Sequence, residues 1–433
     1  MVRFRLTGIL LMFGLLFTPG PPSDAASPSP APTLQVLRFY FPVGVAGPLA
    51  QKMATLVDEF NASQKQISVE AVYTGDYVQT FQKALTAHIG GNPPDLALIT
   101  TADVWSLRDA KAIMALDSLI AESGGRAFLD QFHEGFLGDV RYAGKIWGLP
   151  FQKSTPVFYW NKSIFQEVGL DPEKGPQDWA ELVTYASKVA IIEGGATKRW
   201  GVEIPTDQWL MSAFILQNGG KVNNDLGTQT FLDSKEAIEA LQFLADLANV
   251  HKVMPSKRLF GDSAQDFVTG QTAMMYNSPG SLTFVRNSAK FPFGVAPLPA
   301  GKKRISPTGG GQLLLFDKVP PARKQAAWKF ATWLTSKENS ARWMAETGYV
   351  AVRKSATEVP VLAKYLADVP QAQILFEAVK YAQPEAPATH DGRKIAQLMT
   401  GALEQALAGK ATPEAVLKDA QVKAAQLLAQ FKK

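Results

Sequence analysis

The chain has 433 residues, 46% of them hydrophobic, with a formal net charge of +5 and no cysteine. So weak a basic excess, without runs of Lys or Arg, excludes a charge-driven nucleic-acid binder; the missing cysteines exclude a disulfide framework and a thiolate metal site. About 400 residues beyond the leader are too many for one core, so two lobes of roughly 150–200 residues each are expected.

Arg3 and Arg5 precede an apolar run from Leu6 to Phe17 that is too short to span a bilayer. Ser23-Asp24-Ala25 then supplies small residues where a signal peptidase reads, and Pro19, Pro21 and Pro22 oppose an anchoring helix. Residues 1–25 are therefore expected to be an export signal and residues 26–33, with SPSPAPT, a stiff solvated tether. The expected location is the periplasm, without the lipid-modified cysteine of a lipoprotein. No later stretch is apolar for long enough to cross a membrane.

From Leu34, LQVLRFYFPVG reads as a strand ended by Pro42 and Gly44. Leu49, Met53, Leu56, Val57 and Phe60 follow at helical spacing, then ISVEAVYTG as a second strand. A second helix carries Val78, Phe81, Leu85 and Ile89, GGNPP breaks it, and DLALIT is a short buried strand. This alternation predicts a parallel α/β sheet. Beyond it, TYASKVA and FLADLANV read as helices and TAMMYN as a strand, and the C-terminal third is nearly all helix.

In open α/β sheets ligands gather at the carboxyl ends of strands. Four strand exits carry small, polar or glycine chemistry: DLALITTAD (95–103), LPFQKST (149–155), MMYNSPGSL (274–282) and ISPTGGGQ (305–312). No catalytic constellation accompanies them. His88, His133, His251 and His390 lack metal-ligand spacing, no Gly-x-Ser-x-Gly elbow is present, and the carboxylates fall mostly on amphipathic helices. A binding protein without cofactor or metal is expected. Counting alone leaves a glycosidase carboxylate pair open as a remote alternative.

STPVFYWNK (154–162), VGLDPEKGPQDWAELVTYA (168–186), FVTGQTAMM with NSPGSL (267–282), GGGQ (309–312) and ETGYVAV (346–352) resemble the maltose-type extracellular solute-binding proteins of ABC importers. Within that group they look most like the glycerol-3-phosphate binders. The resemblance implies a two-lobe periplasmic-binding-protein fold (type II) of α/β class, with discontinuous lobes and a helical C-terminal region. Lobe 1 is expected over 34–153 and 277–316, lobe 2 over 154–276 and 317–433, with hinge crossings near Ser154, Tyr276 and Phe316. It also implies one small-molecule solute per chain, permease subunits with their ATPase as partners, and a monomer.

Carried over by motif, the resemblance implies that Tyr77, Ser154, Trp209, Ser278, Gly310 and Tyr349 contact the solute. Ser154 would offer its hydroxyl and N–H at the first crossing, and Gly310 would let backbone N–H groups approach an anion. Two positions depart from the pattern. Thr101 stands where the glycerol-phosphate binders have a glutamate, and their arginine falls opposite Ala396, leaving Arg393 three residues earlier to reach the cleft or to remain a solvated helix end. A monoester phosphate carries nearly two charges and usually needs a bidentate arginine. The expected solute is therefore glycerol-phosphate-like, a glycerophosphodiester rather than the free monoester, with a neutral sugar or oligosaccharide as the alternative.

Overall fold

The computed structural model describes Met1 and residues 34–45 and 48–432, so the expected export signal and tether lie outside the described residues, Met1 apart. Strand β1 (Gln35–Phe41) buries the alternating Leu37, Phe39 and Phe41, as one face of a pleated strand requires. It pairs in parallel with β2 (Ile67–Tyr73) from Gln35↔Ile67 to Phe41↔Tyr73, and with β3 (Leu96–Ile99) on its other side. Helix α1 (Leu49–Ser63) buries the five residues whose spacing predicts it. Each such apolar side chain contributes about 1.5–3 kcal/mol when fully buried.

Helix α2 (Tyr77–Ile89) starts on a capping box: the Asp76 carboxylate accepts from the Gln79 amide at 2.8 Å, and Gln79 Oε1 accepts from the Asp76 amide at 3.0 Å. Its buried face is Phe81, Ala84 and His88, while Ile89 is 76% exposed. The expected stripe at i, i+4 and i+8 overshoots each turn, and two such steps rotate it about 80° off the buried face.

After α3 (Thr101–Asp109), the wholly buried strands β4 (Leu149–Ser154) and β5 (Val157–Asn161) flank Thr155-Pro156. There the chain leaves the first sheet for the second. Thr155 Oγ1 donates to Pro307 O at 3.1 Å, which ties this crossing to the return strand of chain. In the second lobe, α4 (Trp179–Val189) is capped by Asp178, and a hairpin of β6 (Ile191–Glu193) and β7 (Ala196–Glu203) follows. Helices α5 (Gln208–Gln217), α6 (Lys235–Asn249) and α7 (Phe260–Thr269) then lead to β8 (Thr272–Asn277). With β9 (Phe293–Pro297) the second sheet has the order β9-β5-β8-β7-β6. Strand β10 (Gly309–Leu315) returns to complete the first sheet in the order β2-β1-β3-β10-β4, antiparallel to both its neighbours.

The lobe boundaries differ from the expected ones. Residues 277–316 do not all belong to lobe 1, because β9 pairs with β5 from Phe293↔Asn161 to Pro297↔Val157. The chain therefore recrosses between Pro297 and Gly309, not at Tyr276, which lies inside β8 of the second sheet. Nor is there a crossing at Phe316, and residues 317–433 do not all belong to lobe 2. Helix α8 (Pro321–Leu334) packs on β1, with Phe330 edge-on to Phe39 at 5.5 Å and to Phe60 at 5.0 Å. An apolar face of α8 matched to the Phe-rich side of β1 decides its side, and no local pattern announces that match.

Of the later helices, α9 (Lys337–Thr347) and α10 (Pro370–Val379) share a core with Tyr159, Met275 and Val295 on one face of the second sheet. The opposite face, with Phe158, Trp160 and Tyr276, packs with α5, α6, α11 (Gly392–Leu407) and α12 (Pro413–Leu428). Among the described residues no helix is long and apolar enough to cross a membrane.

Candidate functional site: an interlobe cleft

Between the lobes lies a cavity of about 490 Å³. The first lobe lines it with Gly44 and Val45 after β1, the start of α2 at Asp76–Val78, Thr100, Ser154 and Gly310. From the other side come Asp207, Gln208 and Trp209 at the start of α5, Leu259–Asp262 at the start of α7, and Ser278 after β8; Tyr349, Glu385 and Arg393 complete the wall. Seven of the eight residues expected from the sequence thus meet in one cleft: Tyr77, Ser154, Trp209, Ser278, Gly310, Tyr349 and Arg393.

Thr101 is the exception. It opens α3 with no exposed surface and does not line the cavity, because α3 turns its first residue inward; its neighbour Thr100 faces the cleft instead. Arg393 does reach the cleft, so the solvated-helix-end alternative fails. Its Nε donates to Asp103 Oδ1 at 2.8 Å, its Nη2 pairs with Asp103 Oδ2, and Nη2 also donates to Thr100 Oγ1 at 3.2 Å. Asp103 is fully buried. The guanidinium charge is therefore already matched before any solute arrives.

Gly310 lines the cleft from within β10, opposite Lys153, where the strand pairing itself also requires glycine. Its φ is +83°, and a Cβ there would sit 1.9 Å from Gln152 O. A Cβ at Gly309 would lie 2.5 Å from Trp209 Cε2, and the Trp209 indole N–H donates to Thr308 O at 2.8 Å. The glycines thus seat the indole and close the strand pairing. Trp209 is 8% exposed and tilts against Phe260 at 5.9 Å, so the two rings form an aromatic wall.

The polar inventory is mostly neutral. Ser278 Oγ accepts from the Gly280 amide at 3.1 Å, and its hydroxyl also hydrogen-bonds the Tyr349 phenol. The Tyr77 hydroxyl accepts from Gln152 Nε2 at 2.6 Å. Burial pushes the Tyr349 phenol up to about 12 and the Tyr77 phenol up as well, so both keep their protons at neutral pH. Beside Arg393, the ionisable members are acids: Asp76, Asp207, Asp262 and Glu385. Asp207 caps α5 by accepting from the Trp209 amide at 2.8 Å, and burial raises its pKa. Glu385, 4% exposed, is raised to about 8 by burial, with Lys153 lowering it and Asp139 raising it further.

Sequence reasoning missed Asp207, Asp262 and Glu385. The first had a signal, an Asp directly before a helical Gln-Trp; Glu385, in an irregular Pro-Glu-Ala-Pro stretch, had none. Among the described residues no group of three or more His, Asp or Glu side chains is placed to hold a metal ion.

Two α/β lobes joined by crossing segments, with a cleft lined by both polar and aromatic groups between them, define a solute-capturing protein. The chain belongs to the bacterial extracellular solute-binding proteins, a family matched by residues 55–371. Over 455 aligned residues it is 27% identical to the sn-glycerol-3-phosphate-binding periplasmic protein UgpB of Salmonella typhimurium, covering 100% of this chain and 99% of that protein. UgpB from Mycobacterium tuberculosis in complex with glycerophosphocholine matches with a TM-score of 0.80 at 27% identity, over 91% of this chain and 99% of that one. The maltose/maltodextrin-binding domain MalE from Bdellovibrio bacteriovorus bound to maltotriose shares the fold, with a TM-score of 0.78 at 20% identity over 92% and 100% of the two chains. The chain is a substrate-binding protein of the ABC-importer type.

Proposed function

We propose that the protein captures a glycerophosphodiester with a cationic end in the periplasm and hands it to permease subunits driven by an ATPase. It acts as a monomer, without chemistry on the solute, after export on the signal at residues 1–25 and without a lipid anchor. The charge pattern of the cleft carries this reading. The one arginine in the wall is spent on Asp103, so an anion meets neutral groups: the Ser154 and Ser278 hydroxyls and the phenols of Tyr77 and Tyr349, the last three linked by hydrogen bonds through Tyr349. Neutral donors satisfy a singly charged diester better than a dianionic monoester. At the other end, Asp207 and Asp262 flank the Trp209–Phe260 wall, which suits a cation stacked on an aromatic face. The ligand named for the Mycobacterium tuberculosis relative, glycerophosphocholine, has this polarity.

A neutral sugar is the second reading, favoured by the same aromatic wall and by carboxylates that can accept from sugar hydroxyls. Isothermal titration with glycerophosphocholine, glycerol 3-phosphate and maltotriose separates the cases. Glycerophosphocholine should bind at least tenfold more tightly than the monoester; tight maltotriose binding with no phosphodiester binding would overturn the proposal.

A further inference from the structure

Glu385 is a buried acid with no cation of its own. It lies in the connection ahead of α11, lines the cleft, and its Oε2 has no hydrogen-bond partner. The nearby cations are already matched. Lys153 Nζ lies 2.6 Å from Asp139 Oδ2, both side chains fully buried, and Arg393 is paired with Asp103. Asp139 Oδ1 also accepts from the Glu385 amide at 2.8 Å, which pins the acid's backbone to the Lys153–Asp139 pair. The other groups that act on this cluster are Asp207, the phenols of Tyr77 and Tyr142, and the Thr101 hydroxyl and amide, which hydrogen-bond to the Glu385 carboxyl and favour its charged form, against burial and Asp139. Two cations therefore face three carboxyls from β4, α11, α3 and the connecting segments, with Asp207 a further acid at the start of α5. A third buried carboxylate in such a cluster is costly, and taking up a proton relieves it.

We propose that Glu385 is a solute-contacting, specificity-determining residue that works as a neutral carboxylic acid, donating its O–H in a hydrogen bond to an anionic oxygen of the bound phosphodiester. The inference rests on the functional reading above and names the donor that replaces a free arginine. The raised pKa of about 8 agrees with the charge count. A neutral acid supplies one donor without adding to the negative charge of the wall, whereas a carboxylate would repel the solute's phosphate. Binding is then linked to pH. The carboxyl holds its proton below about 8 and loses it above, so affinity is full at neutral pH and falls on the alkaline side.

Glycerophosphocholine is a suitable probe because neither its diester nor its quaternary ammonium titrates in the window used. Isothermal titration of the mature chain from pH 6 to 9.5 should show affinity falling roughly tenfold or more above pH 8. Glu385→Gln keeps an N–H donor in the same volume. It should bind within about threefold of the parent at pH 7 and lose most of the pH dependence. Glu385→Ala should lose roughly tenfold or more at every pH, with its folding checked by thermal unfolding. Glu203, also raised to about 8 but facing Arg258 and Asp266, remains in all three proteins, so a fall that persists in Glu385→Gln reports that group or another and overturns the assignment. Tighter binding above pH 8 would show Glu385 acting as a carboxylate toward the cationic end, and equally overturns it. Unchanged binding by Glu385→Ala defeats this inference alone, while a parent protein that binds maltotriose and no phosphodiester defeats the functional reading and this inference with it.

Discussion

At the residue scale, the glycine triplet shows how one sequence feature carries two demands. Gly310 was legible as a cleft residue, but its left-handed φ and the 1.9 Å approach of Gln152 O make it a requirement of the β4–β10 pairing. Gly310→Ala is therefore expected to destabilise the fold by about 1–3 kcal/mol through strain, seen as a lowered Tm, before any effect on binding is read. Gly310→Asp would report the same strain and cannot test anion recognition. A Tm equal to the parent's would show that the strand tolerates a Cβ. Arg393 gives a second prediction. Replacing it with Ala leaves Asp103, which has no exposed surface, without its cation, and should cost roughly 3–5 kcal/mol in denaturant unfolding. Arg393→Ala combined with Asp103→Asn should recover much of that loss; a double variant as unstable as the single would show that the pair's charge is not what holds α3 to α11.

At the element scale, helices with a regular apolar stripe such as α1 were the most legible parts, because a stripe is local, while the caps of α2 and α4 were left unread. Asp178 accepts from the Glu181 amide at 2.9 Å to start α4 and does not line the cavity. Asp178→Ala should lower stability by about 1 kcal/mol and leave solute affinity unchanged, as chemical unfolding and titration on the same sample would show. A change in affinity would mean that α4 is coupled to the cleft. The strands that change sheet were less legible. β9 reads as a plain apolar run, and nothing in Phe293–Pro297 says whether its partner is β5 or a strand of the first lobe. Helix α8 was assigned to the wrong lobe for the same reason: its stripe states that it packs, and only the Phe330–Phe39 contact states where.

For the whole molecule, the buried carboxyls Glu385, Glu203 and Asp207 turn the pH response of stability in one direction. Glu385 and Glu203 have folded pKa values raised to about 8, well above the ordinary value of 4.5. Between those limits the folded state holds more protons than the unfolded one, so the contribution of these groups is full below about pH 4.5 and is lost as pH rises from there through 8. Glu346, lowered by its Arg342 and Lys52 partners against the cost of burial, works the other way and loses its contribution as pH falls below 4.5. Thermal scans should therefore give a higher Tm at pH 6 than at pH 8.5, with a smaller difference in Glu385→Gln; a Tm that rises over this range would contradict the charge accounting. A solute that touches both lobes drives their closure, and at 100 times its Kd it should add roughly 2.7 kcal/mol of stability. Scattering should report compaction at the same concentration, and stabilisation without compaction would place the solute on one lobe only.

The sequence by itself determined the alternation of strands and helices, and its family motifs named seven residues that the fold gathers along the cleft. These rest on spacing and on motifs whose resemblance survives 27% identity. Tertiary structure decided the sheet of β9, the lobe of α8, the burial of Thr101, the pairing of Arg393 with Asp103 and the arrival of Glu385 beside Lys153 and Asp139. Each of those depends on groups more than a hundred residues apart meeting across a shared core. Which carboxyl keeps its proton there follows from how many cations that meeting leaves unmatched.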